Sequence, residues 1–272
     1  MIFFPSAKIN IGLLITGKRP DGYHDIETLF YPVGLSDALE YVVSDHDVKN
    51  DILRTTGIDT GSEPGKNLVM KTVIRLREEK SFPFLKIHLH KAIPVGAGLG
   101  GGSSDAACML KVLNRHFRLN LDDQLLRSIA LELGSDCPFF IDCTPCYATG
   151  RGEILTPISP ILAGYYLVII NPGIKISTSE AYQNCKAEAP SDSLMHLFEL
   201  PVTEWRGAII NDFEDFAFRK HPVLGDLKNE LYKSYAVFSL MSGSGSSVYG
   251  IFNEKPELPP KLREFIIWEG GL

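Results

Sequence analysis

The sequence lacks a long apolar run. Its longest nearly apolar stretch, Ile161 to Ile170, is about half of the roughly 18–20 residues that a membrane-spanning helix needs. It also lacks an excess of basic charge. Its 27 Lys and Arg stand against 33 Asp and Glu, a formal net charge of −6. Nucleic acid and anionic membrane are thereby disfavoured as main partners, because phosphate contacts need clustered Lys and Arg. A small anionic substrate is not excluded, since a few backbone N–H groups and one Lys hold a phosphate locally. There is no disulfide framework either: Cys108, Cys137, Cys143, Cys146 and Cys185 are odd in number and irregular in spacing. Cys143-Thr-Pro-Cys146 fits C-x-x-C, but no second pair and no nearby His follows, so buried small hydrophobes are expected. The opening MIFFPSAKIN shows no basic n-region before an apolar stretch, so a cytoplasmic location is expected. Internal repeats and low-complexity segments are absent.

What is present is ordinary for a globular chain. Apolar residues make up 44% and charged residues 22% of 272. That length suits one large domain or two modest ones, with a core that needs no staples. From Ala7 to Ile15 every odd position is apolar, which predicts a strand with its odd face buried and Lys8 and Asn10 together on the other face. Residues 17–22 form a turn cluster. Strands are expected from His24 to about Val33 and from Ala38 to Val43. Residues 44–66 read as a short strand and loops. Asn67 is a candidate N-cap for a helix carrying Leu68, Val69, Thr72, Val73 and Leu76. Leu85, Ile87 and Leu89 alternate with polar residues and predict a strand. Helices are expected from Ser104 to about His116 and from about Asp122 to Leu133, with Gly134 as the stop. The texture changes near residue 150, which places a boundary between domains 1–150 and 151–272. Strands follow at Tyr165–Ile170, Ala236–Met241 and Val248–Phe252, then a terminal helix over about Pro260–Trp268. The helices are too few and too uneven for a βα barrel, so the expected class is α+β with helix layered on sheet.

The most informative stretch is Pro94, Val95, Gly96, Ala97, Gly98, Leu99, Gly100, Gly101, Gly102, Ser103 and Ser104. Glycine lets backbone approach a ligand closely, and a helix N-terminus offers unpaired N–H groups and partial positive charge. A glycine run between a strand and a helix is therefore a phosphate-binding device. No Walker A loop exists, and the protein-kinase set of motifs is absent. Gly96-x-Gly98-x-x-Gly101 matches the dinucleotide pattern, but Asp122, at the expected distance of about 20 residues, begins a helix instead of ending a strand. An NAD(P)-dependent oxidoreductase stays open on this ground as an alternative. A second loop, Ser242-Gly243-Ser244-Gly245-Ser246-Ser247, lies between two apolar strands. It reads either as a hairpin connection or as further backbone donors near the phosphates.

Six segments run in order along most of the chain: Pro5–Gly12, Gly17-Lys-Arg-Pro-Asp-Gly-Tyr-His24, Asn67–Val69, Pro94–Ser104, Leu133–Phe140 and Met241–Gly250. Together they resemble the GHMP kinases, the family of galactokinase, homoserine kinase and mevalonate kinase. The element ending in Tyr23-His24 resembles the members that act on a cytidine diphosphate derivative of methylerythritol in the non-mevalonate isoprenoid pathway.

The resemblance implies a two-domain α+β architecture with an active-site groove between the domains. It implies ATP bound by Pro94–Ser104, Mg²⁺ accompanying it, and transfer of the γ-phosphoryl to the 2-hydroxyl of the erythritol moiety. Kinases for homoserine or mevalonate are the alternative within the family, and a non-catalytic nucleotide-binding regulator the alternative outside catalysis. The family's Lys and Asp pair maps onto Lys8 and Asp136. Asn10, Tyr23 and His24 map onto the residues that hold the cytidine substrate, with Tyr182 where an aromatic stacks on the base. In such a site Asp136 accepts the proton of the attacking hydroxyl while Lys8 keeps it ionised. Read on their own, Asp136 could instead cap a turn, and Lys8 could be a solvated strand residue. A monomer or weak homodimer is expected, without nucleic-acid or membrane partners.

Overall fold

The computed structural model describes every residue except 46–48, 60, 62 and 188–192. The chain forms two compact units, each discontinuous in sequence. The first holds 1–7, 35–95 and 100–144, and the second holds 8–34, 96–99 and 145–272. The chain leaves the first unit for the last time after Thr144, and 8–34 and 96–99 already belong to the second. Among the described residues no helix is long and apolar enough to cross a membrane.

The first unit is built on a four-stranded sheet ordered Ile2–Phe3, Ala38–Val43, Leu85–Lys91 and Ile52–Gly57. The last pair is parallel and the others antiparallel. Leu85, Ile87, Leu89 and Lys91 all point to the buried face, as a period of two requires. Three main helices belong to this unit. Leu68–Glu79 starts where Asn67 accepts a hydrogen bond from the Val69 N–H at 2.9 Å, the cap expected from sequence. Asp123–Leu133 is capped by Asp122, whose side chain accepts from the Leu125 N–H, and stops at Gly134.

The third helix, Gly101–His116, begins three residues before the expected Ser104. The glycines hide this start, because glycine is a poor helix former in any propensity reading. Gly100 sets it, with φ +69 in the left-handed region, a conformation costly to any other common residue.

The second unit contains two sheets. One is ordered Phe238–Met241, Val248–Phe252, Tyr166–Ile170 and Ile266–Gly271, antiparallel throughout. The other places Ser6–Lys18 beside His24–Ser36, then Cys146–Thr149 and Ile154–Pro157. Ala7, Ile9, Ile11, Leu13 and Ile15 are buried as their alternation predicts. The opposite face is buried too, including Lys8 and Asn10, so Lys8 is not a solvated strand residue.

One expectation fails here. The terminal helix over Pro260–Trp268 is only Pro260–Arg263, and Ile266–Gly271 is an edge strand on Tyr166–Ile170. Pairing to an exposed strand edge satisfies backbone groups that local propensity leaves undecided.

A buried ion cluster ties both ends of the glycine segment within the first unit. Lys91 donates to Asp37 and, at 2.8 Å, to Asp105 on the glycine-loop helix. Asp37 also accepts the N–H groups of Ala92 and Ile93 at 2.6 and 2.8 Å. Burial pushes the Asp105 carboxyl up to about 7, against the pull of the Lys91 ammonium.

The native state thus holds a proton that the unfolded chain releases near the ordinary carboxylate value of about 4. Stability contributed by this group is full below that value and is lost as pH rises through about 7. Thermal unfolding followed by circular dichroism is expected to show a lower midpoint at slightly alkaline than at mildly acidic pH. Asp105→Asn is expected to remove most of that difference.

Candidate functional site

The glycine segment joins the strand Leu85–Lys91 to the helix Gly101–His116. The helix leaves the N–H groups of Gly101, Gly102 and Ser103 without intrahelical partners. Gly100 supplies no side-chain cap, and no acidic residue occupies the first turn. The uncapped amides and the helix dipole therefore present a positive end to an anion.

The turn that carries Asp136 lies beside this helix start, inside the first unit. It connects the helices Asp123–Leu133 and Phe139–Asp142 through a bond from the Cys137 N–H to the Gly134 carbonyl at 3.0 Å. Burial pushes the Cys137 thiol up to about 12, and a Cβ built on Gly134 would lie 3.4 Å from its sulfur and 3.8 Å from the Ser103 hydroxyl oxygen, so turn and helix start are in contact. Asp136 is half-buried. The N-cap position of the following short helix is Pro138, which supplies no side-chain cap.

In the second unit the two glycine loops meet. The Ser242 hydroxyl donates to the Gly98 carbonyl at 2.8 Å and accepts the Asn10 N–H at 3.1 Å. The Ser247 N–H donates to the Ala97 carbonyl at 3.2 Å. A Cβ on Gly98 would lie 1.8 Å from the Ser242 carbonyl oxygen. Asn211 holds the second loop by donating to the carbonyls of Met241 and Gly243, both at 2.8 Å. The hairpin reading of Ser242–Ser247 holds, and the connection also braces Gly98.

Lys8 is 3% exposed. Its N–H donates to the Leu99 carbonyl at 3.0 Å, and its ammonium hydrogen-bonds the Asn10 carboxamide oxygen and sits 4.8 Å from the Phe30 ring centre. The Asn10 amide nitrogen in turn donates to Thr28 at 2.9 Å. The visible work of Asn10 is to aim the ammonium.

The aromatic residues assemble elsewhere in the same unit. Tyr182, on Thr178–Gln183, stacks on His24 with ring centres 4.7 Å apart and planes at 14°. Phe213 also lies against it, edge-on at 4.9 Å. Tyr23 is half exposed, and the Arg151 guanidinium lies 3.8 Å from its ring centre. Thr178, at the start of that helix, is bonded to Ser244 at 3.0 Å, which ties the aromatic pair to the second glycine loop.

Sequence reasoning missed Lys91, Asp37, Asp105, Asn211 and Arg151. A signal existed for Lys91: it continues the inward period of Leu85, Ile87 and Leu89. The others are brought in by tertiary contacts that no local pattern announces. Cys146 is buried as expected, and Cys143 is half-buried with its sulfur 3.3 Å from the Ser6 hydroxyl. Among the described residues no group of three or more His, Cys, Asp or Glu could hold a metal.

Gly98→Ala tests the junction of the loops. With φ +77 and a Cβ only 1.8 Å from the Ser242 carbonyl oxygen, the variant is expected to lose more than about 1 kcal/mol of stability, read by chemical denaturation, and to bind nucleotide more weakly.

Two family models match the chain: the GHMP kinases N terminal domain over residues 67–149 and the GHMP kinases C terminal domain over 194–266. The chain is 51% identical to 4-diphosphocytidyl-2-C-methyl-D-erythritol kinase of Bacteroides thetaiotaomicron, over 95% of this chain and 94% of that one. It is 46% identical to the protein of the same name from Parabacteroides distasonis over the full length of both. A crystal structure of 4-(cytidine 5'-diphospho)-2C-methyl-D-erythritol kinase superposes with a TM-score of 0.80 at 30% identity, covering 99% of this chain and 98% of that one. A glycine loop opening onto an uncapped helix and full-length relatives of one kind converge, and the chain belongs to the GHMP kinase family.

Proposed function

We propose that the chain transfers the γ-phosphoryl group of ATP to the 2-hydroxyl of 4-diphosphocytidyl-2-C-methyl-D-erythritol, a step in isoprenoid precursor synthesis. The observation that carries the reading is the Asp136 turn lying against the first turn of the glycine-loop helix through the Cys137–Ser103 contact. A carboxylate is thereby held beside amides suited to a phosphate. The full-length relatives support the identity of the acceptor. Family membership disfavours the oxidoreductase alternative.

Phosphoryl transfer depends on positioning and on neutralising charge. The amides of Gly101 to Ser103 and the braced backbone at Gly98 bind the phosphates. Asp136 accepts the proton of the attacking hydroxyl. Lys8, aimed by Asn10, supplies a cation for the transferring oxygens. Its burial keeps water from competing with that role and strengthens its field. His24 and Tyr182 offer a paired aromatic face, and Tyr23 an exposed one, for the cytosine ring. Each stacked base–aromatic contact is worth about 1–3 kcal/mol. Mg²⁺ takes one or two carboxylates together with nucleotide phosphates. Asp136 and the Ser103 hydroxyl, on a turn and a helix start that lie together, would offer oxygen donors to an ion arriving with ATP. When bound, such an ion neutralises charge on the phosphates.

A coupled assay of ADP release separates the acceptors. The cytidine substrate is expected to give turnover, and homoserine and mevalonate none. Turnover with either of the latter would overturn the assignment. Asp136→Asn and Lys8→Met are expected to lower kcat by at least about a hundredfold with little change in ATP affinity. Wild-type turnover in either variant rejects these roles. Tyr23→Ala and Tyr182→Ala are each expected to raise KM for the cytidine substrate about tenfold while sparing ATP, in line with one lost stacking contact. Equal effects on both ligands would contradict the placement.

A further inference from the structure

A cavity of 740 Å³ opens within the first unit, along the helix Gly101–His116. Ser104, Cys108, Lys111, Val112 and Arg115 line it. Their spacing puts them on one helix face, so the trough follows the helix for roughly 16 Å at 1.5 Å per residue. The facing wall is aromatic, made by Phe3, Phe4, Tyr41 and Phe140. Burial raises the Cys108 thiol to about 11, so this wall atom stays uncharged at neutral pH.

The charge around the trough is one-sided. Lys111, Arg115 and Arg118 all line it and all are exposed, and among the described residues no Asp or Glu lines it. None of the three cations forms an ion pair among the described residues. Arg75, Arg77 and Arg127 of the same unit, by contrast, each hold a carboxylate at 2.6–2.8 Å. In a chain of net charge −6, three unpaired cations beside an apolar trough do not reflect average composition. Phe4 is 69% exposed, an uncovered aromatic at the edge of the same trough.

We propose that this trough binds a small organic anion with an apolar body and a phosphate-type head. The body lies against Phe3, Phe4 and Phe140, and the head is held by Lys111, Arg115 and Arg118. Guanidinium groups suit such a head because they donate paired N–H bonds to phosphate oxygens. The volume falls in the range of small-molecule sites, roughly 300–1,000 Å³. A purely apolar occupant would leave the three cations unused, and a simple inorganic anion would leave the aromatic wall wet. The site shares only Ser104, at its end, with the phosphoryl-transfer reading, and its test is separate from activity.

The probe is 1-naphthyl phosphate, titrated into the full chain and followed by its fluorescence anisotropy. Saturable binding at one site per chain is expected. The neutral 1-naphthol and inorganic phosphate are each expected to bind at least about tenfold more weakly, since each lacks one half of the recognition. The double variant K111E/R115E is expected to weaken binding by at least about tenfold without lowering the melting temperature, because both side chains are exposed. In the unaltered chain, the probe is expected to slow maleimide labelling of Cys143, which lines the trough, and not that of Cys185, which does not. Absence of saturable binding, equal affinity in the charge-reversed variant, unchanged labelling of Cys143, or displacement of the probe by ATP would each overturn the proposal.

Discussion

One hydroxyl joins the parts of the second unit that matter most for chemistry. Ser242 donates to the Gly98 carbonyl and accepts from the Asn10 N–H. It thereby sets the glycine segment, the second glycine loop and the strand bearing Lys8 in one register. The bond is possible only because Gly98 has no side chain, since a Cβ there would overlap the Ser242 carbonyl. A neutral hydrogen bond contributes only about 1 kcal/mol of net stability. Its weight here lies in geometry: Lys8, Asn10 and Gly98 keep their relation only while the loops stay in contact.

The first unit anchors the same segment by charge. Lys91 is enclosed with Asp37 and Asp105, and Asp37 also receives two backbone N–H groups at the segment's start. Enclosed ion pairs rarely exceed a well-packed apolar alternative in stability, but losing one partner leaves a stranded charge and costs several kcal/mol. The cluster therefore penalises displacement of the glycine segment from its strand. The segment is thus held by buried charge at both ends and by loop-to-loop hydrogen bonds in between.

Much of this was legible in one dimension. The alternation from Ala7 to Ile15, the Asn67 cap, the Asp122 cap and the inward period of Leu85–Leu89 all appear where their patterns put them. The glycine segment stood out because its composition is extreme, although its helix starts at Gly101, where propensity is weakest. The C-terminal end misled, because Ile266–Gly271 takes its strand state from pairing with Tyr166–Ile170. The aromatic site was legible as residue types and not as an arrangement. Nothing local says that Tyr182 stacks on His24 or that Arg151 covers Tyr23, which lie more than a hundred residues away in each case.

The amino-acid order alone determined the local elements, the phosphate-binding character of Pro94–Ser104 and the family, because each rests on neighbours a few residues apart. Folding decided which charges are buried together and which loops touch. It put Asp136 beside the helix start and left Lys111, Arg115 and Arg118 without an ion pair among the described residues along an aromatic trough. Those outcomes depend on excluded volume and on solvent removal between distant segments. Neither has a period that a linear pattern can carry.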